Sequence, residues 1–202
     1  MKKFLITFSF IVCHLAIGNV VAQSAKSVLD KCASTICAKD GVQASFQMKS
    51  AKLGDTSGTI AVKGRMFHAT TSVATMWFDG KTQWTYLKSN DEVSVTNPTE
   101  TQLQAINPYN FINMYKKGVK YTMTKSATAY TVHLTSTDNK RKVKEMFITV
   151  DKKSYAPTEV KMLQGNQWTN FTITNLKKVK LDDSVFRFNS KDFPQAEVID
   201  LR

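Results

Sequence analysis

The sequence has few of the residues that build catalytic and metal centres. Its 202 residues include three cysteines and three histidines, and it contains no C-x-x-C pair, glycine-rich phosphate loop, Gly-x-Ser-x-Gly elbow or Ser-x-x-Lys motif. Neither His68 nor His133 stands at metal-ligand spacing or beside a nucleophile motif. The paired acids at 91–92 and 182–183 flank turns, where carboxylates commonly cap or face solvent. We therefore expect no catalytic residue, no metal site and no cofactor, and a protein that is not an enzyme.

Acidic residues are also scarce beside basic ones, with 16 against 28 and a net charge of +12. The lysines are spread along the chain without the tight cluster or stacking-aromatic motif of a nucleic-acid module, so we expect no nucleic acid as partner. Two explanations of the charge stay open. It attracts an anionic membrane surface or an acidic partner, with which contact is transient, or it is a generally basic, solvated surface.

The first residues have the pattern of an export signal. Lys2 and Lys3 precede an apolar run over 4–17, and Val20-Val21-Ala22 has the small-residue pattern of a signal-peptidase site. We predict cleavage after Ala22, which leaves residues 23–202 as a single domain with a net charge of +10, because two lysines are removed. An uncleaved anchor is the weaker interpretation, since the apolar run is short for a membrane span.

The rest of the chain predicts one helix followed by many short strands. Residues 24–38 recur at helical spacing, Ser24 can cap the start, and Gly41 can end the helix. Cys32 and Cys37 could be bridged only if the helix ends between them, and the sequence leaves that disulfide open. From Val42 the apolar period changes to two, with turn signals between about ten or eleven strands. The predicted fold class is α+β, a large curved antiparallel sheet with a few helices on one side.

The stretch from Val73 to Tyr86 predicts a β-hairpin with heavy aromatic residues. Asp79-Gly80 suits a two-residue primed turn, which would place Thr75 opposite Trp84. Alternation would then bring three large aromatics to one face, either buried against another element or open as a binding floor. That predicted face consists of Val73, Thr75, Trp77, Trp84 and Tyr86.

Two short helices are predicted after this hairpin. Asn97-Pro98 and Asn107-Pro108 both have the pattern of a helix start, with an asparagine cap and proline at the first helical position. The helices either plug one end of the sheet or form a movable cover, and their length favours neither. Their predicted apolar side includes Leu103, Ile106, Phe111 and Met114.

At this point the residues resemble a known family. Asp79-Gly80-Lys81-x-x-Trp84-x-Tyr86, with segments 58–64, 92–95 and 183–188, is similar to the pattern of the outer-membrane lipoprotein carrier protein family, LolA. The resemblance implies an unclosed β-barrel with helices lidding its concave side. It also implies a periplasmic location and an apolar cavity for lipoprotein acyl chains, with an inner-membrane release complex and an outer-membrane acceptor as further partners. A monomer is expected.

One departure from that family concerns the lid. Family members usually have Phe-Arg-Trp where this chain has Met66-Phe67-His68, so Phe67 or His68 replaces the arginine associated with fastening the lid. The lid-fastening position is therefore expected at one of these two residues, while the locking mechanism is open.

The resemblance thus implies a carrier that moves lipoprotein acyl chains from the inner to the outer membrane. The alternative is a periplasmic lipid- or glycan-binding or sensing module of the same fold without a delivery role. The predicted lid residues are the four named above for the two helices, and the same aromatic side chains could instead fill a dry core. The predicted cavity residues are Phe46, Met48, Trp77, Trp84 and Tyr86.

Overall fold

The computed structural model describes residues 24–51, 54–99, 102–103 and 115–202. The predicted signal peptide and most of the second predicted helix lie outside these residues. Among the described residues, no helix is both long and apolar enough to cross a membrane. The lid predictions that fall outside the described residues are those for Ile106, Phe111 and Met114.

The first element of the described residues is helix α1, Ala25–Ile36, as the apolar spacing predicts. The hydroxyl of Ser24 caps it by accepting a hydrogen bond of 3.1 Å from the backbone N–H of Ser27. The helix ends between the two cysteines, yet both thiols are free. The buried side of the helix consists of Val28, Leu29 and Cys32.

Twelve strands follow within the described residues, one more than the upper prediction. Two short 3₁₀ helices, Asp183–Phe186 and Ser190–Asp192, separate the last two strands. The strands are β1 (Val42–Ser50), β2 (Thr56–Lys63), β3 (Met66–Thr71), β4 (Ala74–Phe78), β5 (Gln83–Leu87), β6 (Glu92–Thr96), β7 (Val119–Lys125), β8 (Ala129–Ser136), β9 (Val143–Asp151), β10 (Pro157–Gln164), β11 (Gln167–Lys178) and β12 (Glu197–Asp200).

All twelve strands belong to one sheet in the order β12-β6-β5-β4-β3-β2-β1-β11-β10-β9-β8-β7. Neighbours are antiparallel except β12, which lies parallel to β6. β7 and β12 are the two edges and do not pair with each other, so the sheet is not closed into a barrel. The predicted unclosed antiparallel fold is confirmed. β1 pairs with β11 and thereby joins the two halves of the chain.

Helix α1 packs on one face of this sheet, which we call the helix face; the other is the opposite face. Alternation along each strand assigns every side chain to one of them. Two buried clusters lie on the helix face. Cluster 1, beneath α1, includes Leu29, Tyr115, Val132, Met146, Ile148 and Val160. Cluster 2 comprises Val42, Val62, Phe67, Ala69, Phe78 and Leu103.

The β4–β5 hairpin has a longer turn than predicted. Trp84 pairs with Trp77, and not with Thr75, because the loop contains four residues and the register moves by two. The carboxylate of Asp79 accepts hydrogen bonds from the backbone N–H groups of Lys81 (3.0 Å) and Thr82 (2.9 Å) and so closes the wider loop. A shift of two preserves the face of each side chain, so the predicted aromatic face survives the wrong register.

Thr99, and not Asn97, has the capping hydrogen bonds of the first predicted lid helix, so the prediction of an Asn97 cap is wrong. Thr99 and Gln102 form a reciprocal capping box: Gln102 Oε1 accepts from the Thr99 N–H at 2.8 Å, and Thr99 Oγ1 accepts from the Gln102 N–H at 3.3 Å. The side chain of Asn97 instead accepts a 3.0 Å hydrogen bond from the hydroxyl of Thr82 in the hairpin loop. Leu103 then makes the first helical bond, donating to the Thr99 carbonyl at 2.9 Å.

Candidate functional site

The five residues predicted to line one cavity lie on two faces of the sheet, so the prediction of one shared surface is wrong. Phe46 and Met48 are on the helix face, which they share with Val42 in β1. The position of Trp77 follows directly from strand geometry: it is adjacent in β4 to the helix-face residue Phe78 and so points to the opposite side. The hairpin aromatics on the opposite face are Trp77, Trp84 and Tyr86.

The C-terminal segment covers part of the hairpin aromatic face. The ring of Trp77 meets Phe188 and Phe193 edge-on, with centroid distances of 5.6 and 5.5 Å. Tyr86 meets Phe193 at 4.7 Å. Trp77 is 7% exposed as a result. Trp77 thus lies in a packed aromatic core, which is one of the two alternatives that the sequence left open. The sheet itself separates Trp77 from Phe46.

Between the two helix-face clusters lies a row of half-buried apolar side chains, which we call the central strip. Phe46 pairs across β1 and β11 with Ile173, and Met48 pairs with Phe171. All four are partly exposed, whereas the residues that define clusters 1 and 2 are buried. The sequence places Phe171 and Ile173 in an aromatic strand but cannot reveal that this strand pairs with β1. The candidate binding surface is therefore the central strip, and not the five residues predicted from the sequence. The strip consists of Phe46, Met48, Phe171 and Ile173.

Gly58 fixes the packing next to the central strip. It lies opposite Phe46 in the β1–β2 pair. A Cβ atom at this position would lie 2.0 Å from the backbone oxygen of Thr70 and 3.1 Å from Cζ of Phe46. Any larger residue would displace the β3 backbone or the Phe46 ring.

Two residues anchor the chain on the helix face on either side of residues 104–114. Leu103 is 3% exposed and belongs to cluster 2, whereas Tyr115 is 3% exposed and belongs to cluster 1. The hydroxyl of Tyr115 donates a 2.6 Å hydrogen bond to the carboxylate of Asp30 in α1. Burial and that bond raise the pKa of Tyr115, while hydrogen bonds from Lys26 and Tyr115 lower the pKa of Asp30.

Residues 16–166 match the family model described as outer membrane lipoprotein carrier protein LolA. The chain belongs to this family. No curated protein matches it. A crystal structure of an uncharacterized conserved protein from Thermus thermophilus matches with a TM-score of 0.60 and 14% identity, covering 88% of this chain and 99% of that one. At this identity the likeness concerns the fold alone.

Two further solved structures are more distant. A LolA superfamily protein from Nitrosomonas europaea matches at 12% identity and a TM-score of 0.44, covering 83% of this chain and 99% of that one. A putative outer membrane lipoprotein-sorting protein domain from Vibrio parahaemolyticus matches at 10% identity and a TM-score of 0.46, covering 84% and 98%.

The two candidates for the lid-fastening position of the LolA family lie on different faces. Phe67 is fully buried on the helix face, in the same cluster as Leu103, and its ring is 5.6 Å from Phe78. His68 points to the opposite face and stacks on Trp77 at 5.3 Å. Burial lowers the pKa of His68. Of the two residues, Phe67 therefore shares its surroundings with the start of the predicted lid, and those surroundings are apolar.

The helix face of this LolA-family protein is chemically suited to apolar ligands. One polar pair next to the central strip, Ser50 and Thr169, is buried and its hydroxyls bond to each other at 3.2 Å. Because these two hydroxyls bond to each other, they do not need a hydrogen bond from a ligand. In the part of the chain that the structure describes, no group of three or more His, Cys, Asp or Glu side chains could hold a metal ion.

Proposed function

We propose that this protein carries the acyl chains of lipoproteins across the periplasm, from the inner to the outer membrane, and that the central strip is where the chains bind. The observation that carries this proposal is the row of half-buried apolar residues between two fully buried clusters, in a chain of the LolA family. Each side chain of the central strip keeps part of its apolar surface exposed.

The energetics favour such a carrier without any catalyst. An acyl chain left in water costs about 0.8 kcal/mol for each CH₂ group, so lipid-modified cargo needs an apolar cover to cross an aqueous space. Phe46 and Phe171 each contribute a large ring to that cover, and Met48 adds a side chain that adapts to irregular shapes. We propose binding and release as the whole of the activity, with no enzymatic step.

The remaining parts of the proposal concern location and partners. Residues 1–22 act as a signal peptide cleaved after Ala22, and residues 23–202 act in the periplasm as a single monomeric domain. An inner-membrane complex supplies the cargo and an outer-membrane acceptor receives it. Leu103 anchors the first part of a cover over the helix face, with Phe67 beneath it as an apolar counterpart to the arginine of other family members.

A fluorescent fatty-acid probe tests cargo binding in the mature protein. A triacylated peptide should displace the probe, and the same peptide without its acyl chains should not. Phe46→Ser should weaken displacement by about tenfold or more, since it removes a large apolar contact surface. Phe147→Ser is the matched control, because Phe147 is also a half-buried phenylalanine but lies on the opposite face.

A second variant covers the case in which Phe46→Ser does not fold. Met48→Gln keeps the length of the side chain and changes only its polarity, so the sheet should remain intact while affinity falls. If Met48→Gln and Phe147→Ser reduced the affinity for the triacylated peptide equally, the assignment of the site to the helix face would be contradicted. Protein purified from its own cells should carry lipoproteins; free lipid or glycan in their place would favour the sensing alternative.

A further inference from the structure

Half of the mature protein's net positive charge lies at one end of the sheet. Residues 116–120 and 138–145 contain seven cationic and two acidic side chains, a net charge of +5 out of the +10 of the mature chain. We call these two segments the basic end. Five of the seven cations are exposed, and the remaining two are half-buried. The seven are Lys116, Lys117, Lys120, Lys140, Arg141, Lys142 and Lys144.

The fold brings these two segments into one surface. The backbone N–H of Thr137 donates to the carbonyl of Gly118 at 3.0 Å, next to the pairing of β7 with β8. The guanidinium of Arg141 donates to the carbonyl of Lys117 at 2.5 Å. The charges are therefore held together by backbone and side-chain bonds, although they are separated in sequence.

The two acids of the basic end are already engaged elsewhere. Asp138 Oδ1 accepts a 2.8 Å bond from the backbone N–H of Lys140, and Glu145 lies 3.0 Å from the ring nitrogen Nε2 of His133. Neither acid is directed at neutralising the lysine side chains. A surface with this excess of one sign attracts an anionic partner over about one Debye length, which is about 8 Å at physiological salt.

An exposed aromatic side chain lies at the same end of the sheet. Trp168 is 43% exposed on the opposite face and pairs with Leu163, which pairs with Glu145. Trp168 is thus two strands, about 10 Å, from the basic end. Tryptophan is enriched at membrane–water interfaces, where an amphipathic ring lies among the lipid headgroups.

We propose that the basic end and Trp168 form a docking surface for a bilayer that exposes anionic phospholipid. Six of the seven cations are lysines, compact charges suited to a diffuse anionic surface, whereas carboxylate recognition favours the paired donors of arginine. The guanidinium of Arg141 is already bonded to the chain itself. The inference deepens the proposed function, since a carrier that exchanges acyl chains meets membranes at each end of its route.

Flotation with cargo-free protein tests the docking surface directly. Mature protein should bind vesicles of phosphatidylglycerol and phosphatidylcholine, fail to bind pure phosphatidylcholine, and dissociate at about 1 M salt, where the Debye length is about 3 Å. Lys140→Glu with Lys142→Glu should weaken binding by about tenfold or more, because each basic residue near an anionic surface contributes roughly fivefold.

The matched control is Lys177→Glu with Lys178→Glu. It changes the net charge by the same amount at exposed positions of β11 that are about 30–33 Å along the strand from Trp168. Its binding should fall by less than about twofold, since the distance exceeds the Debye length. Brominated lipid should quench tryptophan fluorescence in the wild type, and Trp168→Phe should abolish most of that quenching.

Three results would overturn the inference: equal binding to neutral and anionic vesicles, equal loss in the two lysine pairs, or binding to a glutamate-rich peptide with no binding to either vesicle. The cargo assay separates this inference from the proposed function. Lys140→Glu with Lys142→Glu should still release the fatty-acid probe when triacylated peptide is added. Absence of vesicle binding with cargo binding intact in the wild type would refute the docking surface alone.

Discussion

Tyr115 and Asp30 are 85 residues apart in sequence and are joined by a hydrogen bond of 2.6 Å. The bond connects helix α1 to the segment that leads into β7. Asp30 also accepts from Lys26 at 2.7 Å, so its carboxylate is shared between a cation and a phenol. Because the tyrosine ring is buried, the bond fixes where the chain returns to the helix face.

Tyr115→Phe should destabilise the protein by about 1 kcal/mol, since a charged acceptor loses one donor while remaining partly open to water. This would lower the melting temperature by about 2–4 °C. Lys26→Ala removes the exposed partner of the same carboxylate and is the matched control, with a smaller loss expected. Equal losses would mean that the buried phenol has no special part in holding the chain.

The start of the first lid helix can be tested through its cap. Thr99→Ala should cost about 1 kcal/mol and reduce hydrogen-exchange protection of the Leu103 N–H, which donates to the Thr99 carbonyl. Asn97→Ala should leave that protection unchanged, because the Asn97 side chain bonds to Thr82 in the hairpin loop. If Asn97→Ala reduced this protection and Thr99→Ala did not, the result would support Asn97 as the cap, as the sequence predicts.

Acid should weaken the stacking of His68 on Trp77. Burial lowers the pKa of His68 below its usual value of 6.5, so the unfolded chain takes up this proton first. The resulting contribution to stability is present above about pH 6.5 and is lost as the pH falls. His68→Gln should flatten the pH dependence of the urea midpoint in this range. If the urea midpoint of the variant changed with pH as steeply as that of the wild type, His68 would be excluded as the source of this pH dependence.

The two thiols of residues 23–202 should differ in reactivity. Burial raises the pKa of Cys32 to about 12, and it also raises the pKa of the half-buried Cys37. In native protein at pH 8, a thiol reagent should label Cys37 slowly and Cys32 only after unfolding, since the thiolate is the reactive form. Cys37→Ser isolates Cys32 for this measurement. Rapid labelling of native Cys37→Ser would contradict the burial of Cys32.

Local patterns predicted the elements well and their long-range partners poorly. Helix α1 has a clear apolar spacing and a serine cap, and the strands alternate as expected, so their positions followed from neighbouring residues. The hairpin register failed because Asp79 can support either a tight turn or the observed four-residue loop. The sequence contains no local feature that distinguishes these turns.

The site was harder to predict for a different physical reason. The hairpin pattern drew attention to Trp77 and Trp84, but a local pattern does not state which side of the sheet packs against the helix. The pairing of Met48 with Phe171 spans most of the chain and determines the central strip. The aromatic residues that cover the hairpin, Phe188 and Phe193, come from another distant segment.

The pairing of β1 with β11 also has a consequence for how the protein folds. A chain that emerges N-terminus first exposes β1 long before Phe171 is available to cover Met48. Trp77 stays uncovered even longer, until Phe188 and Phe193 have been synthesised. Such non-local contacts slow folding and leave apolar strands open to aggregation meanwhile. Versions truncated before residue 183 should therefore misfold, because they lack the aromatic residues that cover Trp77.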